Sequence, residues 1–183
     1  MHSGLLTRDG LGYFFFEGGA ARRRKPDTFR TTRPRQTSAV TIQAVIDYVY
    51  ASLIERAVVP SLDQIAGAVG GDRSSIARLI REAKIGKTLL LDDTDAIWMA
   101  GPFSARPTTY HVQTDDRKWF ANCAWDALGI GPIVGAPVDV AMRCTDCGEA
   151  LRFHLTPDSS KVPDWIVHLL VPARHWYDDI GFT

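Results

Sequence analysis

Three cysteines and five histidines among 183 residues leave few soft ligands to distribute along the chain. A small, odd number of thiols excludes the disulfide framework of a small secreted domain, so reduced cysteines in a cytoplasmic setting are the simpler expectation. No apolar run approaches the roughly 18 residues that a membrane helix needs, so no membrane span is expected. The run from Leu11 to Phe16 is short, precedes its basic cluster and lacks a small-residue cleavage site, and it is not read as a signal peptide. No internal repeat is visible. Net charge is also missing: 21 Lys and Arg stand against 21 Asp and Glu. The charges are unevenly spread, since residues 1–40 hold eight basic and three acidic side chains, leaving 13 basic and 18 acidic in the remainder. Bulk attraction to nucleic acid is not expected of that mildly acidic remainder.

What is present is enough apolar material for a core. Hydrophobic residues make up 45% of the chain, which suits one domain or two small ones and excludes a disordered protein. Residues 1–37 mix Gly, Arg and Thr with Pro26 and Pro34 and keep no period, so they read as a flexible basic tail. From Thr41, Ile42, Val45, Ile46, Val49, Leu53 and Ile54 recur at helical spacing. After Pro60, Ser61-Leu62-Asp63-Gln64 reads as a capping box opening a second helix that stops at Gly70-Gly71. Asp72 can cap a third, with Ile76, Leu79 and Ile80 inward, ending near Gly86. Thr88–Leu91 and Ala96–Met99 then flank the polar turn Asp92-Asp93-Thr94-Asp95 as a hairpin. Three helices and a hairpin predict a winged-helix-like module over residues 38–100.

Beyond Pro107 the pattern is mixed. Thr108–Val112, Arg117–Ala121, Val138–Arg143, Leu151–Leu155 and Trp165–Val171 read as strands, the last nearly all apolar and therefore central. A helix follows Cys123, and Ala173–Asp179 reads as a closing helical turn. The expected fold class is α+β, with a small mixed sheet and helix domain over residues 101–183.

The chemistry concentrates at Trp119-Phe120-Ala121-Asn122-Cys123-Ala124-Trp125-Asp126-Ala127-Leu128-Gly129. Cys123 and Asp126 are three apart and share a helix face. A thiolate suits Hg(II), Cu(I) or Zn, and a neighbouring carboxylic acid can carry a proton to whatever the sulfur holds. A helix start would favour the thiolate, and burial would raise the Asp126 pKa. Taken singly, each residue also has an ordinary reading: a core cysteine and a capping or paired carboxylate.

Together with Gly131-Pro132, Cys144-x-x-Cys147-Gly148 and Leu170-Val171-Pro172-Ala173-Arg174-His175-Trp176, this segment resembles the organomercurial (alkylmercury) lyases, over roughly Thr41 to Thr183. The resemblance implies an enzyme of mercury detoxification that cleaves R-Hg⁺ to RH and Hg²⁺ by protonolysis. Cys123 would bind mercury and Asp126 would relay the proton. It implies no required cofactor, Hg²⁺ as bound product, cellular thiols and a mercuric reductase as partners, and a cytoplasmic location. It also implies a second active-site cysteine late in the chain. No cysteine follows Cys147 here, so the expectation is a chain shortened at its C-terminus in which Cys144 or Cys147 substitutes.

Cys144 and Cys147 lie between two strands and can chelate a soft ion. They supply half of a structural Zn²⁺ site, for which Cys123 or histidines such as His154 and His168 would have to complete the set. A redox disulfide is a further reading of the pair. Trp119, Trp125, Trp165 and Trp176 either wall a pocket or fill the core. Two other functions compete. Arg73, Arg78, Arg81 and Lys84 on the third helix would meet phosphates in a metal-sensing DNA-binding regulator, although the acidic balance makes DNA an unlikely partner. An inactive relative would bind mercury or zinc stoichiometrically.

Overall fold

The computed structural model describes residues 39–83, 88–157, 169, 171–176, 178 and 180, with the backbone of two dipeptides near the start. Residues 1–39 and 40–183 form two compact units. In the first, β1 (Thr7–Arg8) and β2 (Phe14–Phe15) pair antiparallel. The remainder of the expected basic tail lies outside the described residues.

The second unit opens with α1 (Ile42–Arg56), whose first turn is capped by the Thr41 hydroxyl accepting from the Ala44 amide at 3.2 Å. Val45, Val49 and Leu53 are buried, so the heptad-like face seen in the sequence is the packed one. The Ser61–Gln64 capping box forms as the sequence predicts and starts α2 (Leu62–Val69). Asp72 starts α3 (Arg73–Glu82) by accepting the Ser75 amide at 2.8 Å. Such caps contribute about 1 kcal/mol each. Leu62, Ile65, Ile76 and Ile80 join the α1 residues in one core, and burying each of them stabilises by roughly 1.5–3 kcal/mol. Two of the α3 cations meet acidic neighbours: Arg73 pairs with Asp63 at 3.4 Å and Arg81 with Asp95.

The remaining strands are β3 (Leu89–Leu91), β4 (Ile97–Ala100), β5 (Phe103–Ser104), β6 (His111–Gln113), β7 (Lys118–Ala121), β8 (Val138–Arg143) and β9 (Ala150–Leu155). They form one sheet in the order β3-β4-β5-β7-β6-β8-β9, with every pairing antiparallel. The molecule is α+β. The hairpin turn at Asp92–Asp95 is closed by Asp92, which accepts from the Thr94 and Ala96 amides and pairs with Arg106.

The observed elements differ from the sequence expectation in three places. The strand expected over Thr108–Val112 is His111–Gln113. The Thr108 hydroxyl donates to the Ala121 carbonyl and accepts from the Tyr110 amide, a local arrangement that ends the regular strand, while the Tyr110 carbonyl still accepts from the Ala121 amide at 2.9 Å. Phe103–Ser104, next to a Gly-Pro turn, carries no strand signal yet bridges β4 to β7. The closing turn is a short 3₁₀ segment over Ala173–His175. The strand expected over Trp165–Val171 falls almost entirely on positions outside the described residues.

Helix α4 (Ala124–Val134) and the C-terminal end of α1 meet the same face of the sheet. Val112 lies opposite both Trp119 and Val140, and these three buried residues share that face. The Trp119 indole donates to the Leu53 carbonyl at 2.8 Å, tying α1 to β7. On α4, Gly131 approaches β8 so closely that a Cβ there would sit 3.0 Å from Val138 Cγ2.

Candidate active site at the start of the fourth helix

Cys123 is the N-cap of α4, two residues beyond the end of β7. Its backbone is extended (φ −147°, ψ 179°), and Sγ accepts the Asp126 amide at 3.4 Å. A cysteine thus fills the place that Ser or Asp takes at α2 and α3. Asp126 sits in the first turn, and its carboxyl interacts with the Cys123 thiol and the Asn122 amide.

Burial governs the electrostatics. It pushes the Cys123 thiol up to about 11, reinforced by the Asp126 charge and only partly offset by the Asp126 amide. The helix start therefore does not make Cys123 a free thiolate, contrary to the sequence expectation: desolvation outweighs the terminal amides. Asp126 is held above the usual carboxylate range by burial, against the lowering effect of Cys123 and Asn122. Its neighbour Trp125 is 44% exposed.

The covering side comes partly from the helical module. Tyr50, on α1, is pushed up to about 12 by its own burial and by the Asp126 charge. Its ring meets Phe103 edge to face at 6.1 Å, and its hydroxyl lies over Gly101, whose φ is +55°. The Gly101 carbonyl accepts from Asn122 Nδ2 at 2.8 Å. Tyr50, Gly101 and Asn122 thus form one side of the pair's surroundings. Tyr50 and Gly101 carry no sequence signal, because Tyr50 lies beside the apolar pattern of α1 and meets a turn far along the chain, while Asn122 lies in the Trp119–Gly129 segment without a role of its own there.

Cys144 follows β8 directly and is half-buried, whereas Cys147 is exposed; all three cysteines are free thiols. The turn is closed by Gly148 N–H donating to the Cys144 carbonyl at 3.0 Å and Cys144 N–H to Glu149 at 2.9 Å. Gly148 has φ +74°, a conformation that glycine adopts without cost. The Cys147 and Asp146 amides, then the Cys147 thiol, donate to Cys144 and lower its pKa.

Cys144 and Cys123 leave the sheet at the same end. Strand β6 runs antiparallel to β7 on one side and to β8 on the other, so the ends of β7 and β8 flank the start of β6. Tyr110, just before β6, is raised by burial and then by both sulfurs. Cys147 is not among the groups that act on it. Among the described residues no three Cys, His, Asp or Glu side chains gather as a metal site. His154 pairs with Asp139 at 2.9 Å across the β8–β9 ladder, and His168 lies outside the described residues. Trp119 fills core, and the Trp176 indole donates to the Val171 carbonyl at 2.8 Å. Trp165 lies outside the described residues.

The MerB alkylmercury lyase family model matches residues 103–182. The alkylmercury lyases of Bacillus cereus and Clostridium butyricum are each 33% identical over 52 residues, which is 28% of this chain and 24% of theirs. The chain therefore matches about a quarter of the length of these curated relatives. The crystal structure of the mercury-bound form of MerB2 is similar in fold, with a TM-score of 0.52 at 19% identity, over 64% of this chain and 58% of that one. Through residues 103–182, which include Cys123, Asp126 and the Cys144–Cys147 turn, the chain is related to the alkylmercury lyases.

Proposed function

We propose that this protein cleaves carbon–mercury bonds by protonolysis, releasing RH and Hg²⁺ from R-Hg⁺, with Cys123 as mercury ligand and Asp126 as proton carrier. The observation that carries this reading is the shared burial of the two groups at the start of α4, where thiol and carboxyl interact and both have raised pKa values. A thiol with a pKa near 11 becomes a ligand only as the soft ion displaces its proton. Asp126, when ionised, accepts that proton, so R-Hg⁺ and Cys123-SH give R-Hg-S-Cys123 and a protonated carboxyl. The proton then passes to the carbon as the Hg–C bond breaks, leaving RH, Hg²⁺ on the Cys123 sulfur, and Asp126 ionised again. Burial favours the first half, because neutralising Asp126 removes a buried charge, and it keeps the proton on the carboxyl until the carbon takes it.

The reading needs no organic cofactor. Mercury enters as part of the substrate, an organomercurial small molecule, and Cys144 and Cys147 are further soft-ion ligands. Cellular thiols free the product, and a mercuric reductase is a partner consistent with its release as Hg²⁺. A cytoplasmic setting suits three free thiols. Among the described residues no helix is long and apolar enough to cross a membrane.

The test is multiple-turnover release of benzene from phenylmercury in excess thiol, comparing the native chain with Cys123→Ser and Asp126→Ala. Turnover by the native chain that falls at least a hundredfold in both variants is the expected result. Absence of turnover in the native chain, with mercury still bound, would leave a stoichiometric binder instead of a lyase.

A further inference from the structure

We propose that the Cys144–Cys147 turn is a second mercuric-ion site, distinct from Cys123, which takes the ion from Cys123 after the carbon has left. The inference rests on the lyase reading for the origin of the ion, but the site itself stands on the geometry of the turn.

The first support is position. One strand, β6, separates the ends of β7 and β8. Neighbouring strands are about 4.8 Å apart, so the backbones at the two ends lie roughly 10 Å apart. Cys123 and Cys144 follow those ends and act on the same tyrosine, Tyr110, between them. An ion released at Cys123 therefore has the Cys144 sulfur at the same end of the sheet, on the other side of Tyr110.

The second support is that the closed turn brings its two thiols onto one side. The amides of Asp146 and Cys147 and the Cys147 thiol converge on Cys144 Sγ. The bonds from Gly148 to Cys144 and from Cys144 to Glu149 hold both ends of the turn, and Gly148 supplies the left-handed residue after the second cysteine. A ligand pair set in this way loses little freedom on closing around an ion.

The third support is ligand number. Structural zinc requires four ligands, and among the described residues no third metal-binding side chain gathers at the turn. Two thiols satisfy a soft ion that prefers few ligands. The exposure of Cys147 also leaves an ion held by the pair open to outside thiols.

The transfer is thiol exchange at mercury, with no change of oxidation state. Cys123-S–Hg–SR, where RSH is a small thiol, reacts with Cys144-SH and Cys147-SH to give Cys144-S–Hg–S-Cys147, Cys123-SH and RSH. Two Hg–S bonds break, two form, and the two protons move to Cys123 and to RS⁻. Cys123 is thereby returned to the protonated state in which it met the substrate.

The test uses the unmodified full chain and maps which thiols mercury protects. One equivalent of phenylmercury is given in the presence of a small monothiol; in parallel, one equivalent of mercuric chloride is given without organic substrate. Free thiols are then alkylated and located by peptide mass spectrometry. The expected map from both arms has Cys123 alkylated and Cys144 and Cys147 protected. Protection of Cys123, or alkylation of the pair, in the mercuric chloride arm overturns the proposal. If that arm gives the expected map while phenylmercury releases no benzene, the second site stands and the lyase reading fails. If benzene is released but mercury stays on Cys123, the lyase reading stands and the transfer fails.

Discussion

The Tyr50 hydroxyl occupies the space above Gly101 that any side chain at position 101 would need. This relationship joins the first helix to the loop beneath Cys123, because the Gly101 carbonyl holds the Asn122 side chain. Gly101→Ala should therefore lower stability by about 2–4 kcal/mol, combining a left-handed backbone penalty with overpacking. Tyr50→Phe in the same chain should recover part of that loss, since it removes the colliding oxygen. Chemical denaturation of the single and double variants measures both, and an additive outcome would show that the two positions do not meet.

Cys123 should be a slow nucleophile despite its place at a helix start. With its pKa near 11, alkylation near pH 7 should be at least roughly a hundredfold slower than for an ordinary free cysteine. The rate should keep rising with pH well above 9. Asp126→Asn, which removes the neighbouring negative charge, should shift that profile to lower pH. Measuring iodoacetamide kinetics at Cys123 across pH checks both statements.

Asp126 should weaken the fold as pH rises. Its folded pKa is raised by burial, so the folded state holds the proton more tightly than the unfolded chain. Stability is then full below the unfolded value, about 4, and declines as pH climbs from there through the folded value. Asp126→Asn should accordingly melt higher than the native chain at neutral pH. That advantage should shrink toward zero below about pH 4, where the carboxyl is protonated in both states. Thermal melts at several pH values would show this, and a constant difference across pH would count against burial as the cause.

Trp119→Phe should cost about 1–3 kcal/mol, from the lost indole bond to Leu53 and the cavity left behind. The loss should be smaller than for Trp119→Ala, which removes the whole ring. Urea denaturation of the two variants gives the comparison.

Local patterns were legible where short-range physics decides. The Ser61–Gln64 and Asp72–Ser75 caps, the α1 face, the Asp92–Asp95 turn and the Val138–Arg143 strand all follow from spacing within a few residues. So does the neighbourhood of Cys123 and Asp126, which needs only one helical turn. Phe103–Ser104 was not legible, because its pairing comes from β4 and β7 and not from any preference of a Gly-Pro-Phe-Ser segment.

The sequence by itself determined which residue types could bind a soft ion and carry a proton, since ligand softness and acidity belong to the side chains. Tertiary structure decided their state and their company. Burial keeps Cys123 protonated where a bare helix start would ionise it, because desolvation depends on atoms brought from distant segments. The antiparallel order of β7, β6 and β8 sets Cys123 and Cys144 on either side of Tyr110, a meeting that no local spacing encodes.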